Sequence, residues 1–263
     1  MELGLRQKAV LVTASSKGIG KAIAEEFAKE GSRISICARG AEHLDKAAEE
    51  LRGQGVDVLA TQADVTKPED VQRVVDETRA AFGHIDVLVN NAGDAWLGRT
   101  VDTTDEEWAY TLDVNLYSAI RFTRCVVPHM RTRGGGRIIN ISSVSGHTMM
   151  PAIVDYQTAK AGLIAFSKSM SIDLAPDNIL VNCVCPGPIR TPLWDRLADS
   201  MVGQMGDSRE DVYQNVAGQF VTLGRHGDAA EVAAVVVFLA SERASYVCGV
   251  AYDVDGGFTR STF

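Results

Sequence analysis

Short runs of β-branched and apolar residues alternate along this chain with longer segments of helical period. Seven runs are typical of strands: Ala9–Thr13, Arg33–Ala38, Val56–Gln62, Ile85–Asn90, Arg137–Ser142, Ile179–Val184 and Val250–Val254. Helical patterns occupy five further segments: Gly20–Glu30, Ala41–Arg52, Lys67–Ala81, Ala152–Leu174 and Ala229–Ala240. Strands that are apolar throughout are buried on both faces, and their alternation with helices requires crossover connections. The pattern predicts an α/β protein with a doubly wound, seven-stranded parallel sheet flanked by helices.

One segment, Pro192–Gly227, interrupts this alternation and is irregular in pattern. Open parallel sheets bind ligands beyond the carboxyl ends of their strands, so we expect residues 192–227 to form a lid over that edge. The 263 residues are 46% hydrophobic, which is enough for a core, and no repeat or linker divides them. We therefore expect a single domain over residues 1–263.

The charge balance limits the classes of partner. Lysine and arginine number 26 against 34 acidic residues, for a net charge of −8, which disfavours nucleic acid and anionic lipid surfaces. No apolar run approaches the roughly 18–20 residues of a membrane span, and Met1–Ala9 lacks a signal-peptide core. We expect a soluble, cytoplasmic protein. The acid-free stretch Leu116–Val154 carries five arginines between 121 and 137, which favours a subunit interface, a solvated face or a partner site.

The five cysteines are odd in number and lie mostly in apolar runs, which argues against a disulfide framework. Cys183 and Cys185 alternate along one strand and therefore point to one face. A metal ion bound there needs further ligands nearby, and the local sequence offers none. We expect buried thiols and no metal site.

The first strand leads directly into the turn Thr13-Ala14-Ser15-Ser16-Lys17-Gly18-Ile19-Gly20 and then into a helix. Small residues allow the backbone amides of such a turn to approach a pyrophosphate, and the helix N-terminus supplies partial positive charge. The full G-x-G-x-x-G pattern is absent, and a lone G-x-G also occurs in ordinary turns. The strand–turn–helix context nevertheless predicts a dinucleotide phosphate site.

This turn resembles the T-G-x-x-x-G-x-G turn of the short-chain dehydrogenase/reductase family, with Ala14 in place of the first glycine. The exchange matters only if the position requires a positive φ. Further matches are Asp64-Val65, Asn90-Asn91-Ala92-Gly93, Asn115, Ser143, Tyr156-x-x-x-Lys160 and Pro186-Gly187-Pro188-Ile189-Arg190-Thr191. The resemblance spans Lys8 to Gly257 and points to members like 3-oxoacyl-[acyl-carrier-protein] reductase. It implies a single-domain Rossmann fold, an NAD(P)-dependent oxidoreductase and a homotetramer.

The end of the second strand bears on which dinucleotide is bound. An acidic side chain there accepts hydrogen bonds from a ribose 2′-hydroxyl, but Ile36-Cys37-Ala38-Arg39 contains no acid. Arg39 can pair with a 2′-phosphate instead, and Lys17 can approach the same group from the other side. We therefore expect NADP(H). The alternative is that both cations are solvated surface residues.

The resemblance implies the remaining cofactor contacts. Asp64 and Val65 lie at the adenine, and Asn91, Ala92 and Gly93 lie at the adenosine ribose, whereas Asn90 is structural. Ile189 and Thr191 hold the nicotinamide carboxamide after the Pro186-Gly187 turn. The expected cofactor residues are Thr13, Ser15, Ser16, Lys17, Gly18, Ile19, Gly20, Arg39, Asp64, Val65, Asn91, Ala92, Gly93, Tyr156, Lys160, Pro186, Gly187, Ile189 and Thr191.

Tyr156 and Lys160 are four residues apart in a helical segment and therefore lie on one face about a turn apart. A nearby ammonium favours the phenolate and brings the tyrosine pKa closer to the range useful for acid–base chemistry. The resemblance implies that Tyr156 exchanges a proton with the substrate oxygen as hydride moves to or from nicotinamide C4. In the same pattern Ser143 polarises that oxygen, and Asn115 holds a water that links Lys160 to solvent.

The substrate is the least constrained part. We expect the pocket to include Trp96, His147, Met149, Met150 and Trp194, and His147 to form its wall and not to act as general base. Apolar side chains suit a ketone or secondary alcohol with a carbon body, or they pack the lid onto the sheet. A 3-oxoacyl thioester on a carrier protein is a further possibility, although the turn Ala175-Pro176-Asp177-Asn178 is acidic. An NAD-dependent secondary-alcohol dehydrogenase and a non-catalytic dinucleotide sensor remain alternatives.

Overall fold

A computed structural model describes residues 2–260 of the chain. Its seven strands are β1 (Ala9–Thr13), β2 (Arg33–Ala38), β3 (Val58–Gln62), β4 (Val87–Asn90), β5 (Gly136–Ile141), β6 (Ile179–Pro186) and β7 (Ala251–Val254). The α-helices are α1 (Gly18–Lys29), α2 (Ala41–Arg52), α3 (Pro68–Phe82), α4 (Asp105–Leu112), α5 (Ser118–Arg133), α6 (Val154–Leu174), α7 (Pro192–Met201), α8 (Arg209–Phe220) and α9 (Ala229–Ala240).

The strands form one parallel sheet in the order β3-β2-β1-β4-β5-β6-β7. The chain reverses its direction of winding between β1 and β4, and ligands of such sheets bind at the carboxyl ends of the strands on either side of this reversal. The predicted fold class is therefore confirmed.

Helices cover both faces of the sheet. On one face α1, α2 and α9 pack through a buried cluster that includes Phe27, Leu44 and Val236, and on the other α3 and α5 pack through Val74 and Phe122. Burial on both faces explains why the strands are nearly continuous runs of apolar residues.

The structure corrects the prediction that Pro192–Gly227 is irregular, because most of this segment forms α7 and α8. Both helices begin at a side-chain cap: the Thr191 hydroxyl accepts from the Trp194 N–H, and the Ser208 hydroxyl accepts from the Asp211 N–H. Helix α4 is a further element that the hydrophobic period does not reveal, since only Thr111 is buried in it. Its start is a capping box formed by Thr104 and Glu107.

Among the residues that the structure describes, no helix combines the length and the apolar character needed to cross a bilayer.

Candidate active site

The turn between β1 and α1 is built from small residues that lie against the end of β4. Ala14 and Gly18 have φ angles of 50° and 57°, in the left-handed region. For an alanine this conformation costs about 1–2 kcal/mol, so the departure from the family pattern falls on a position that favours glycine. A Cβ atom on Gly20 would overlap the Asn91 side-chain amide. At Gly20 the turn therefore has room for backbone atoms but not for a side chain.

The end of β4 is tied to this turn. The Asn91 backbone N–H donates to Thr13 Oγ1 at 2.9 Å, and its side-chain Nδ2 donates to the Thr13 carbonyl oxygen at 3.0 Å. Two residues later, a Cβ atom on Gly93 would lie 2.9 Å from Asn115 Oδ1 and 3.1 Å from Lys160 Nζ. Glycine at position 93 therefore lets the backbone pass directly beside two of the predicted catalytic residues.

A basic cavity of about 270 Å³ opens beside the glycine turn. Its lining residues are Ser16, Lys17, Gly18, Lys21, His43, Lys46 and Ala47. Arg39 does not line this cavity, because its guanidinium lies near the Tyr110 hydroxyl. Burial and the Asp94 carboxylate raise the pKa of Tyr110, and Arg39 opposes that shift. The structure thus places Lys17 in the cavity and Arg39 next to Tyr110, apart from that lining.

The residues predicted at the adenine lie where β3 ends. The Asp64 carboxylate accepts from the Thr66 N–H at 3.0 Å and from the Thr66 hydroxyl at 2.8 Å, so one of its oxygens already stabilises the local turn. Val65 is buried, with its side chain in the core on the α3 face. Contact of either residue with a nucleotide stays a prediction.

The residues predicted at the nicotinamide follow β6, which ends at Pro186. Thr191 begins α7, and its Cβ would lie 3.5 Å from a Cβ on Gly18, so the two loops are in contact. A Cβ on Gly187 would lie 2.7 Å from the Asp255 Cβ, which shows how closely the chain after β7 approaches. Ile189 is buried between these segments. The first and sixth strands therefore deliver their loops to one continuous edge.

Tyr156 and Lys160 lie in the first two turns of α6, and Lys160 Nζ is 5.6 Å from the centre of the Tyr156 ring. The Lys160 side chain is buried, and its Nζ donates to the carbonyl oxygen of Ile141 at 2.9 Å. The Ser142 hydroxyl donates to the Lys160 carbonyl oxygen at 2.8 Å. These two bonds fix α6 against the carboxyl end of β5, where Ser143 follows.

The titration of the pair differs from the prediction that the Lys160 ammonium brings the Tyr156 pKa closer to the range useful for acid–base chemistry. Burial raises the pKa of Tyr156 to about 12, and the Ser143 hydroxyl acts weakly in the opposite direction. Burial also lowers the pKa of Lys160 to about 8. The expectation of a lowered tyrosine pKa is wrong because desolvation of the half-buried Tyr156 phenol is the largest contribution to its pKa. At neutral pH Tyr156 carries its proton.

Asn115 is fully buried in a π-helical turn, Asp113–Tyr117, that joins α4 to α5. Its Nδ2 donates to the carbonyl oxygens of Asp94 and Thr111 at 2.8 and 3.0 Å, and its Oδ1 accepts from the Asp94 N–H at 3.2 Å. The structure uses this side chain to hold the loop after Gly93. Its part in a water relay stays a prediction.

Four of the five predicted substrate-pocket residues are exposed near this edge. Trp96, Met149 and Met150 show 42%, 64% and 36% exposure, which is high for large apolar side chains. His147, three residues beyond Val144 in the loop after β5, has its Nε2 atom 2.9 Å from Asp253 Oδ1.

Trp194, the fifth, packs within the lid. Its ring lies edge-on to His226 with centroids 5.1 Å apart, and it contacts a small core that contains Ala198 and Val212. The structure therefore gives Trp194 a packing role in the lid, and its contact with a substrate stays a prediction.

Sequence reasoning missed Asp94, which follows Gly93 directly. Its carboxylate accepts from the Tyr110 hydroxyl at 3.0 Å and pairs with Arg196 of α7. The Arg196 guanidinium also lies over the Trp96 ring, 4.3 Å from its centre. Asp94 thereby connects the lid to the loop after β4. Its place directly after the Asn-Asn-Ala-Gly segment was the available signal in the sequence.

The basic cavity contains three other residues that sequence reasoning missed: Lys21, His43 and Lys46. His43 and Lys46 are three residues apart in α2 and share one face of that helix. A pair of basic residues at helical spacing, directly after the Arg39 loop, was the available signal.

Comparison with known proteins agrees with this geometry. The family model described as enoyl-(acyl carrier protein) reductase matches residues 13–259. Dehydrogenase/reductase SDR family member 4 of Homo sapiens is 36% identical over 254 residues, which are 96% of this chain and 88% of that protein.

Two solved structures extend the comparison. L-sorbose reductase from Gluconobacter frateurii, complexed with NADPH and L-sorbose, is 40% identical, with a TM-score of 0.95 over 99% of this chain and 100% of that one. An actinorhodin polyketide ketoreductase variant with NADPH is 34% identical, with a TM-score of 0.93 over 97% and 98%. By family match, identity and coverage, the chain belongs to the short-chain dehydrogenase/reductase family, and it is an oxidoreductase of that family.

Proposed function

We propose that the protein reduces a ketone to a secondary alcohol with NADPH. One observation carries this proposal: a protonated Tyr156 next to Ser143, with Lys160 buried behind it, stands at the sheet edge that the glycine turn also reaches. A proton donor, an oxygen-polarising hydroxyl and a nucleotide-binding turn are the parts that carbonyl reduction requires.

The residues present fit a dinucleotide phosphate. Glycine at positions 20 and 93 lets the glycine turn pack closely against Asn91 and lets the loop after β4 pack against Asn115 and Lys160. The cavity lined by Lys17 and Lys46 offers positive charge to a 2′-phosphate, whereas Lys21 beside them is paired with Glu25 and Glu50. The whole set proposed to hold NADP(H) is Thr13, Ser15, Ser16, Lys17, Gly18, Ile19, Gly20, Arg39, Asp64, Val65, Asn91, Ala92, Gly93, Tyr156, Lys160, Pro186, Gly187, Ile189 and Thr191.

When bound, the nicotinamide supplies the hydride. The Tyr156 hydroxyl donates its proton to the carbonyl oxygen, and the Ser143 hydroxyl donates a hydrogen bond to the same oxygen as negative charge develops. With its pKa raised to about 12, Tyr156 carries its proton at neutral pH, as the donor to the carbonyl oxygen must. The same shift makes the reverse reaction, in which a phenolate accepts the proton, less favourable at that pH.

The substrate class follows from the side chains around this edge. Trp96, Met149 and Met150 favour a carbon body, as in a 3-oxoacyl thioester or another ketone. The polar pair His147–Asp253 favours a second candidate, a polyhydroxy ketone, and L-sorbose in the related reductase structure supports it. Segment 192–227 serves as the lid of a single domain over residues 1–263, with Arg196 as its contact to Asp94.

The assembly we propose is a homotetramer in the cytoplasm. Large apolar side chains are exposed on α6, on α9 and at the edge strand β7, including Ile172 at 67%, Phe238 at 40% and Tyr252 at 48%. A second copy of the chain would cover such surfaces. The five cysteines are all free thiols, which supports a reducing compartment. Light scattering measures the assembly: a monomer would contradict the tetramer.

The test of the reaction is NADPH oxidation, followed by fluorescence, with a panel of apolar ketones, 3-oxoacyl thioesters and ketoses. We expect turnover of at least one class, with kcat/KM higher for NADPH than for NADH. A clear preference for NADH would instead support a secondary-alcohol dehydrogenase of the NAD type. Tight NADPH binding without turnover of any substrate would favour a dinucleotide sensor.

A matched pair of variants separates the proposed roles. Arg39→Ala removes one proposed phosphate partner at the end of β2, whereas Arg52→Ala removes an exposed arginine at the end of α2 that is not among the proposed cofactor residues. We expect Arg39→Ala to raise KM for NADPH by about tenfold and to leave KM for NADH nearly unchanged. Equal effects on both cofactors would contradict a phosphate contact.

A further inference from the structure

Three side chains of different metal-binding chemistry meet beside the catalytic residues. His147, Cys185 and Asp253 place one potential ligand atom each within 4.8 Å of the other two. They come from the loop after β5, from β6 and from β7, so their sequence spacing does not resemble a metal motif. The sequence interpretation dismissed a metal at Cys185 for want of ligands nearby, and the fold supplies two.

The backbone fixes two of the three positions. Cys185 and Asp253 are direct partners in the register of β6 and β7, and partners in a parallel pair point to the same face. The sheet therefore holds the thiol and the carboxylate side by side whatever the neighbouring loops do. Asp253 lies on the last strand of the sheet and is exposed within one chain, as is His147, whereas Cys185 is buried.

His147 completes the group from above. Its Nε2 atom is 2.9 Å from Asp253 Oδ1, and Thr148 Oγ1 lies 3.5 Å from its other ring nitrogen, Nδ1. A ligating histidine commonly has its second nitrogen held by a polar group, which sets the direction of the ring. The arrangement directs Nε2 toward the carboxylate and the thiol.

We propose that His147 Nε2, Cys185 Sγ and Asp253 Oδ1 form a binding site for a zinc-type divalent cation. One nitrogen, one sulfur and one oxygen are the donor types that zinc accepts, and three protein ligands leave a fourth tetrahedral position for water. Tetrahedral bonds of the usual lengths separate ligand atoms by about 3.3–3.7 Å, so the side chains need to shift only slightly.

The charges balance in such a site. A thiolate and a carboxylate together neutralise a divalent cation, and a neutral imidazole adds none. Binding breaks the S–H bond of Cys185 and releases that proton to solvent, with no change of oxidation state.

The position of the site suggests its effect. His147 is a predicted wall of the substrate pocket, and Cys185 is near enough to Tyr156 to influence its titration. A cation held there occupies space that the substrate needs and adds positive charge near the proton donor. We expect it to act as a reversible inhibitor that a chelator removes; this consequence rests on the proposed reductase function, whereas the binding itself does not.

The experiment is a titration of the full-length, metal-free protein with Co²⁺ and then with Zn²⁺. We expect one Co²⁺ per chain, an absorption band from thiolate-to-cobalt charge transfer, and loss of the band when Zn²⁺ displaces the cobalt. Cys185→Ser should abolish the band, and Asp253→Asn and His147→Gln should each weaken binding by at least about tenfold.

Two cysteine variants serve as matched controls. Cys183→Ala removes a buried thiol from the same face of the same strand, and Cys248→Ala removes an exposed thiol. Both should keep the band and bind Co²⁺ within about threefold of the unmodified protein. Circular dichroism and thermal melting establish that each variant is folded.

No charge-transfer band in the unmodified protein would overturn the proposal. A band that survives Cys185→Ser but disappears in either control variant would overturn it as well. If Cys185→Ser does not fold, the half-exposed positions His147 and Asp253 decide the question, because unchanged affinity in both variants contradicts their role as ligands.

Discussion

The active site has two walls that are held in different ways. The catalytic wall, β5 with the loop after it and α6, is held by buried hydrogen bonds such as Lys160 Nζ to Ile141 O at 2.9 Å and Asn140 Nδ2 to Ser167 Oγ at 2.8 Å. The lid, residues 192–227, carries its polar contacts on the surface, as between Arg209 and Asp199 at 2.6 Å.

The polar contacts of the two walls also differ in how much each contributes to the free energy of unfolding. Breaking a buried hydrogen bond leaves a desolvated polar group and costs about 1–3 kcal/mol, whereas exposed ion pairs are worth about 0–1 kcal/mol and weaken in salt. The wall proposed to perform the chemistry is therefore fixed by buried hydrogen bonds, whereas the polar contacts of the proposed lid are weaker, although a small apolar core packs its helices together. Under the proposed function, we expect that substrate choice can change in the lid without disturbing the proton donor.

The largest effect is expected from the proton donor itself. Tyr156→Phe should lower kcat/KM for the best ketone by about 10²–10⁴-fold, because a general acid contributes that much, while the Kd for NADPH stays within about threefold. The matched lid variant is Tyr213→Phe, which loses a hydroxyl bonded to Asp195 at 3.1 Å. We expect the lid variant to keep kcat/KM within about threefold. Similar losses in both would contradict the assignment of chemistry to one wall.

The second prediction concerns the buried ammonium. The pKa of Lys160 is lowered by burial to about 8 from its ordinary value of 10.5, so above pH 8 the unfolded chain binds more protons than the folded one. The free energy of unfolding then rises with pH, and the wild type should gain about 2 kcal/mol relative to Lys160→Met between pH 8 and pH 10. Urea denaturation across this range measures the difference.

Other buried groups act on both proteins alike. Burial raises the pKa of Cys37 to about 12, as it does for Tyr156, and such shifts lower stability above pH 9 in the wild type and the variant. They cancel in the difference. Lys168→Met, which removes an exposed lysine from the same helix, should show no such divergence from the wild type. A pH-independent difference for Lys160→Met would refute the lowered pKa.

The third prediction tests the buried bonds directly. Asn140 accepts from Asn90 Nδ2 and donates to Ser167 Oγ, both at 2.8 Å, so Asn140→Ala leaves two buried groups short of a partner. We expect the free energy of unfolding to fall by about 1–3 kcal/mol. Asn215→Ala in the lid removes an exposed side chain bonded to Met205 O and should change it by less than about 0.5 kcal/mol. Comparable losses of unfolding free energy in the two variants would contradict the proposed difference between the two walls.

The smallest effect is expected where the lid meets the loop after β4. Arg196→Ala removes the pairing with Asp94 and the contact with Trp96, and it should raise KM for the ketone about two- to fivefold with little change in kcat. Salt should narrow the difference from the wild type. Arg209→Ala, whose ion pairs are internal to the lid, should leave KM unchanged. A larger fall in kcat than rise in KM would place Arg196 in the chemical step.

Much of the fold follows from the sequence because buried parallel strands are legible as apolar runs. Strands β1 and β2 have the predicted bounds, whereas β3 and β4 begin two residues later than expected, at Val58 and Val87. Helix α4 has a polar surface and a single buried residue, so its hydrophobic period is weak. Helices α7 and α8 were not predicted because the segment 192–227 contains several glycines and lacks a long apolar stripe.

The sequence predicted that Tyr156 and Lys160 share one face of a helix, but it did not predict their pKa values. The four-residue spacing of Tyr156 and Lys160 places them on one helix face, yet their burial, which decides both pKa values, depends on packing against β5 and β6. The meeting of His147, Cys185 and Asp253 depends on the pairing of β6 with β7, and no local pattern encodes that register.

The π-helical turn Asp113–Tyr117 makes the position of Asn115 depend on the number of residues between α4 and α5. An α-helix advances by about 100° per residue, so deleting one residue here would rotate α5 by that angle relative to α4. Phe122 and Met130, both buried against the sheet, would then turn away from it, or Asn115 would leave the backbone that it holds. A substitution in this turn changes only the contacts of one side chain, whereas a one-residue deletion displaces either the buried side chains of α5 or Asn115.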